Sequence, residues 1–171
     1  MTRLLSTLAV LWLCASAVAA HEVTRCNGLP AAVAKTRQAI RDAAAAHDYT
    51  ALAKLIDRSA FTYSLDYDLG SDPIPYWKSV AGETDIPATM AAVLDMDCAV
   101  LRHGGGSTFE WPAAAEVPYS QLMEHERAAL EKLYPGHVED QYVKDGEVYH
   151  YAGWRLEIEQ DGRWTSFMAG Y

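Results

Sequence analysis

The stretch Trp154-Arg155-Leu156-Glu157-Ile158-Glu159-Gln160-Asp161-Gly162-Arg163-Trp164-Thr165-Ser166-Phe167-Met168 decides the fold class. Trp154, Leu156 and Ile158 alternate with Arg155, Glu157 and Glu159. That is the period-2 pattern of a strand with one apolar and one polar face. Asp161-Gly162 interrupts it, and a second β-prone run follows. Asp-Gly between two such runs signals a hairpin, since Gly accepts the positive φ that tight hairpin turns demand. Residues 147–151 are expected to extend the first arm, with Gly153 as a bulge.

Upstream, Gly104-Gly105-Gly106 separates two short β-prone runs at 98–102 and 107–111, a second hairpin. Pro112 ends its return strand or puts it at an edge. Residues 118–134 are expected to form a helix with Leu122, Met123, Ala129, Leu130 and Leu133 inward, stopped by Pro135-Gly136. Nearer the start, Pro30 opens an Ala-rich helix over 31–47, where its missing N–H is harmless. Thr50 is expected to cap a short helix through Asp57 that buries Leu52, Leu55 and Ile56. Phe61-Thr62-Tyr63-Ser64-Leu65 alternates as a strand, and 66–75 is a loop rich in Asp, Gly and Pro. A short helix carries Tyr76 and Trp77. Asp85 with Pro87 starts another, whose Met90, Val93 and Leu94 face inward. No regular βαβ alternation appears, so the expectation is α+β, a curved antiparallel sheet with helices packed on one face.

Residues 1–20 read as a secretory signal peptide: Arg3, a mostly apolar run over 4–13, then small residues Ala15 to Ala20. Residues 21–171 then form a single α+β domain. The chain has 171 residues and a formal net charge of −9, which becomes −10 once Arg3 leaves with the leader. So acidic a chain, without a basic patch, is not expected to bind nucleic acid. No later apolar run nears the ~20 residues of a membrane span, so no stable membrane insertion is expected after cleavage. Loss of Cys14 leaves Cys26 and Cys98, expected to form one disulfide in a periplasmic or secreted protein.

The run Arg37-Gln38-Ala39-Ile40, then His47-Asp48-Tyr49-Thr50-Ala51-Leu52, then Phe61 resembles the opening of NTF2-like (SnoaL-like, cystatin-fold) domains. The closing Trp154-Arg155-Leu156 and Asp161-Gly162-Arg163-Trp164 are similar to their final hairpin. Together these cover about a third of the chain. The 118–134 helix falls where that fold usually has a turn. The resemblance implies a cone enclosing a pocket for small ligands; enzymes of this fold use an Asp–His or Tyr–Asp pair there. Phe61-Thr62-Tyr63-Ser64, Asp72-Pro73, Tyr76-Trp77 and the Asp161–Gly170 ending also resemble a group of uncharacterised exported bacterial proteins.

Five Trp, ten Tyr and three Phe, with no catalytic signature, point first to a non-catalytic role. A small molecule or an envelope protein segment would bind in an aromatic-lined concavity. Tyr63, Trp111, Tyr149, Tyr151 and Trp154 are its candidate contacts. The alternative is a small pocket enzyme, a hydrolase or isomerase using Asp66, Asp68, His150 and Tyr63. A third expectation is a structural or assembly protein of the cell envelope, its aromatics forming an exposed patch. Asp66, Asp68 and Asp72 space carboxylates as a calcium loop would, but lack the full run of ligands and the distal Glu. His125-Glu126 lacks the second His of a zinc helix, since Ala129 holds that place. No G-x-S-x-G or phosphate loop is present, and neither a metal nor a cofactor is expected.

Overall fold

The C-terminal hairpin forms as β6 (Arg155–Glu159) and β7 (Trp164–Met168). Arg155 lies opposite Met168, Leu156 opposite Phe167 and Glu157 opposite Ser166. The register shifts between Glu157 and Ile158, which pair with Ser166 and Trp164, so the extra residue is Thr165 of β7 and the irregularity does not fall at Gly153. Gly162 turns the chain with φ +90°, the conformation for which Gly was expected. The computed structural model describes residues 24–63, 72–146 and 148–170. The expected leader 1–20, the end of the expected 61–65 strand, and Asp66 and Asp68 lie outside the described residues.

The hairpin is one side of a five-stranded antiparallel sheet in the order β1-β2-β3-β6-β7. The other strands are β1 (Thr24–Arg25), β2 (Ala99–His103) and β3 (Gly106–Trp111). Alternation splits the sheet into two faces. Phe109 and Trp111 of β3 join Leu156 and Ile158 of β6 in the principal core. Four helices cover this face: α1 (Ala31–Ala45), α2 (Tyr49–Leu55), α3 (Pro73–Ser79) and α4 (Ile86–Leu94). They supply Val33, Ile40, Leu52, Trp77, Met90 and Leu94 to that core. At its centre the Trp77 and Trp164 rings stack at 6.0 Å, and Phe61 meets Trp164 edge-on at 4.9 Å. Each large apolar side chain buried this way contributes about 1.5–3 kcal/mol. The architecture is therefore α+β, as expected.

Asp residues start the short helices. Asp48, not Thr50, caps α2, its carboxylate accepting from the N–H of Thr50 and Ala51. Asp72 and Asp85 cap α3 and α4 in the same way. The disulfide joins Cys26 to Cys98 with Cα atoms 5.4 Å apart. The Cys26 N–H also donates to the Cys98 carbonyl at 2.8 Å. Among the described residues, no helix is long and apolar enough to cross a membrane.

Three local expectations change. Residues 148–151 do not extend β6. They form β5 (Val148–Tyr151), which pairs with β4 (Tyr142–Asp145) in a separate two-stranded sheet. The 118–134 helix is broken into a 3-10 turn at Tyr119–Gln121 and α5 (Glu124–Leu133). Leu122 is extended between them and Met123 is 37% exposed rather than inward. In the described part of 61–65, Thr62 makes an isolated parallel bridge to Ser166. The β4–β5 hairpin, α5 and the 3-10 turn Ala113–Glu116 build a second apolar cluster around Leu130, Val138, Tyr142 and Tyr151.

Candidate functional site

The site is set by the face of the sheet that alternation leaves for polar residues. On β3, Glu110 stands between Phe109 and Trp111, so it points away from the principal core. Its partner in the ladder is Glu157 of β6, flanked by Leu156 and Ile158. Two carboxyl side chains therefore lie directly opposite each other on one face. Directly opposed like charges destabilise a sheet.

Solvent does not relieve this. Glu110 is 3% exposed, covered where β5 and the Ala113–Glu116 turn meet the sheet. Burial is the main cause that raises its carboxyl to a pKa of about 9, and the charges of Glu116 and Glu157 add to it. A hydrogen bond with Glu157 works in the same direction, while the Arg155 charge opposes it. Glu110 is accordingly protonated at neutral pH. Its Oε1 is buried and has no hydrogen-bond partner among the described residues.

These groups line an open pocket of about 660 Å³. Glu110, Arg155 and Glu157 form its floor, and Glu116, Val117 and Pro118 come from the turn after β3. Tyr149, His150 and Tyr151 of β5 form another side. Tyr149 is 51% exposed, and the Lys144 ammonium lies 5.7 Å from its ring. Arg155 is fixed by its backbone neighbours: Nη1 donates to the Tyr151 carbonyl at 3.2 Å and to that of Gly170 at 2.6 Å. Tyr151 is anchored from behind, its phenol at 3.5 Å from the Trp154 carbonyl and hydrogen-bonded to Tyr134. Tyr134 in turn accepts from the Trp154 N–H at 2.6 Å. Burial raises the pKa of both phenols.

Of the five aromatic candidates, the structure brings Tyr149 and Tyr151 to this pocket, together with His150. The others pack in the principal core or against it. Trp111 is buried, with the Arg37 guanidinium 5.7 Å from its ring. Tyr63 is buried against Tyr76, and Trp154 stacks on Phe167 at 4.8 Å. Asp66 and Asp68 lie outside the described residues, and Asp72 caps α3 and pairs with Arg58 at 3.1 Å. Sequence reasoning passed over Glu110 and Glu116, and read Arg155 and Glu157 only as an outward strand face.

A second group of polar side chains forms at α5. His125 Nε2 is 2.7 Å from Asp97 Oδ2, and ligand atoms of Asp97, His125 and Glu126 lie within 4.8 Å of one another. Glu126, however, is fully engaged. It takes Arg25 through both oxygens, at 2.8 and 3.0 Å, and the Met123 N–H at 2.9 Å. The carboxylate ties β1 to the start of α5 and satisfies the helix terminus. No protein-family model, curated protein or solved structure matches this chain.

Proposed function

We propose that this chain binds a small molecule in the pocket between the sheet and β5. The observation that supports it most is Glu110, a buried carboxyl in the pocket lining, one oxygen of which has no hydrogen-bond partner among the described residues. Burying an unsatisfied polar group costs about 1–3 kcal/mol. A ligand that hydrogen-bonds there removes that penalty, and its gain becomes binding energy. The volume of about 660 Å³ falls among the ~300–1,000 Å³ sites that hold small ligands. Tyr149 and Tyr151 supply aromatic surface beside the carboxyls. The disulfide suits an exported, periplasmic or secreted protein.

A second reading, a pocket enzyme, has one specific observation in its favour. Glu110, whose carboxyl burial holds in the protonated form, lies beside a second carboxyl, Glu157, and paired carboxyls in unlike environments are an arrangement used for proton transfer. In this reading the pair replaces Asp66 and Asp68 as acid and base, with His150 still at hand.

Thermal unfolding of the oxidised protein with a panel of small amines, sugars and carboxylates tests the proposal. A ligand at a hundredfold over its Kd adds about 2.7 kcal/mol of stability. At least one class should raise the midpoint in the wild type and fail to do so after Glu110→Gln. No shift with any of them would overturn it. Recovery of the bound compound unchanged separates a binding protein from an enzyme.

A further inference from the structure

We infer that the ligand is an organic cation, an ammonium or guanidinium compound, held by Glu110, Glu116 and Glu157. This rests on the reading of the pocket as a ligand site and names what fills it. Three separate elements each bring a glutamate to the lining of one concavity: β3, the turn after it, and β6. The cation already present, Arg155, has its Nη1 held by the carbonyls of Tyr151 and Gly170. Glu110 and Glu157 lie opposite each other across the ladder, so a positive group placed above them meets two carboxyl groups at once.

The carboxylates do not converge as ligands of a single metal ion. Among the described residues, three ligand atoms within 4.8 Å of one another occur at Asp97, His125 and Glu126, not at these glutamates. Their wider spread and the pocket's volume suit a molecule carrying several N–H donors. A guanidinium matches a carboxylate with two parallel hydrogen bonds, and an ammonium offers three donors.

Binding of such a cation is coupled to a proton. The groups facing Glu110 are Glu157 and Arg155 from β6, Glu116 from the turn, and His150 with the two tyrosines from β5. A further positive charge among them favours the ionised form of Glu110. Its proton then leaves to solvent as the cation enters. By linkage, affinity rises with pH by up to about tenfold per unit until free Glu110 itself ionises.

Calorimetric titration of the oxidised protein tests this with agmatine, 1,4-diaminobutane and the uncharged 1,4-butanediol. Each is titrated at pH 6.5 and 8.5, in phosphate and in HEPES. The expected result is binding of the two amines and not of the diol. Affinity should be about tenfold or more higher at pH 8.5. The heat should differ between the buffers by the release of close to one proton. Glu110→Gln should abolish the proton release and flatten the pH dependence. Glu157→Gln, on the more open partner, should weaken both amines and serves if the first variant does not fold.

Equal binding of the diol would leave the pocket standing and overturn the cation. The same holds if the amines fail while a sugar or carboxylate raises the unfolding midpoint. Silence from all three, with no shift from any compound in the unfolding panel, would overturn the pocket itself. Amine binding without proton release would overturn the role given to Glu110.

Discussion

Replacing Glu110 by Gln should change how stability depends on pH, and the sign is fixed by the site. The carboxyl titrates at about 9 when folded, against 4.5 for an ordinary glutamate. Between those values the folded chain holds a proton that the unfolded chain has released. Stability is therefore fully present below about pH 4.5 and falls as pH rises toward 9. Each pH unit removes about 1.4 kcal/mol. By pH 7 the loss is about 3 kcal/mol, an upper limit because Glu116 and Glu157 share the charge. Gln keeps the shape and removes the titration. Its amide needs new partners, but that cost does not vary with pH. Urea unfolding of both proteins at pH 5, 7 and 8.5 reads the effect, since titrating groups remote from Glu110 cancel in the difference. Relative to its own value at pH 5, the variant should gain at most about 4–5 kcal/mol on the wild type by pH 8.5. Parallel curves would refute the burial and crowding assigned to Glu110.

Three further outcomes follow from the packing. Reduction of Cys26–Cys98, which closes a separation of 72 residues, should lower stability by about 4 kcal/mol in the chain-entropy account. Urea melts with and without reductant measure it. Gly153→Ala would drive a Cβ into the Tyr151 ring and to 2.8 Å from the Tyr134 hydroxyl. It should break the Tyr134–Trp154 bond, cost about 2–4 kcal/mol by overpacking, and change the near-ultraviolet tyrosine signal. Glu126→Gln should cost about 2 kcal/mol on denaturant unfolding. That is less than a fully buried pair, because Arg25 is 34% exposed.

Local chemistry made much of the fold legible in the sequence. Alternation around Asp161-Gly162 located the last hairpin, and Gly104-Gly105-Gly106 located the β2–β3 hairpin. Two cysteines in a chain with an apparent leader indicated the bridge. Where the reading slipped, features outside the residue pattern decided the outcome. Residues 148–151 alternate equally well as a continuation of β6 or as a separate strand; their pairing with Tyr142–Asp145 settles it. The 118–134 segment has helical composition throughout, yet extended backbone at Leu122 and Met123 splits it.

The candidate site was harder to see for the same reason. Glu110 between Phe109 and Trp111 reads as an ordinary solvent-facing strand residue. What buries it comes from Glu116 six residues on and from β5 about forty residues on. Its neighbour Glu157 becomes visible only once β3 and β6 are placed in register. A signal was present: both glutamates sit between two large apolar residues, and antiparallel pairing of those apolar faces necessarily pairs the acids. The aromatic candidates were chosen by residue type. Large rings serve a core as well as a pocket, and Trp111, Tyr63 and Trp154 went to the core or packed against it.

Carbon-detected NMR titration of the glutamate side-chain carboxyls tests the central claim most directly, with Glu110 assigned by loss of its signal in Glu110→Gln. Run from pH 4 to 10 without and with agmatine, it should show Glu110 staying protonated to about pH 9 in the free protein. With agmatine bound, the same carboxyl should ionise at lower pH. A Glu110 that titrates with the other glutamates, or that is unmoved by agmatine, would contradict the account.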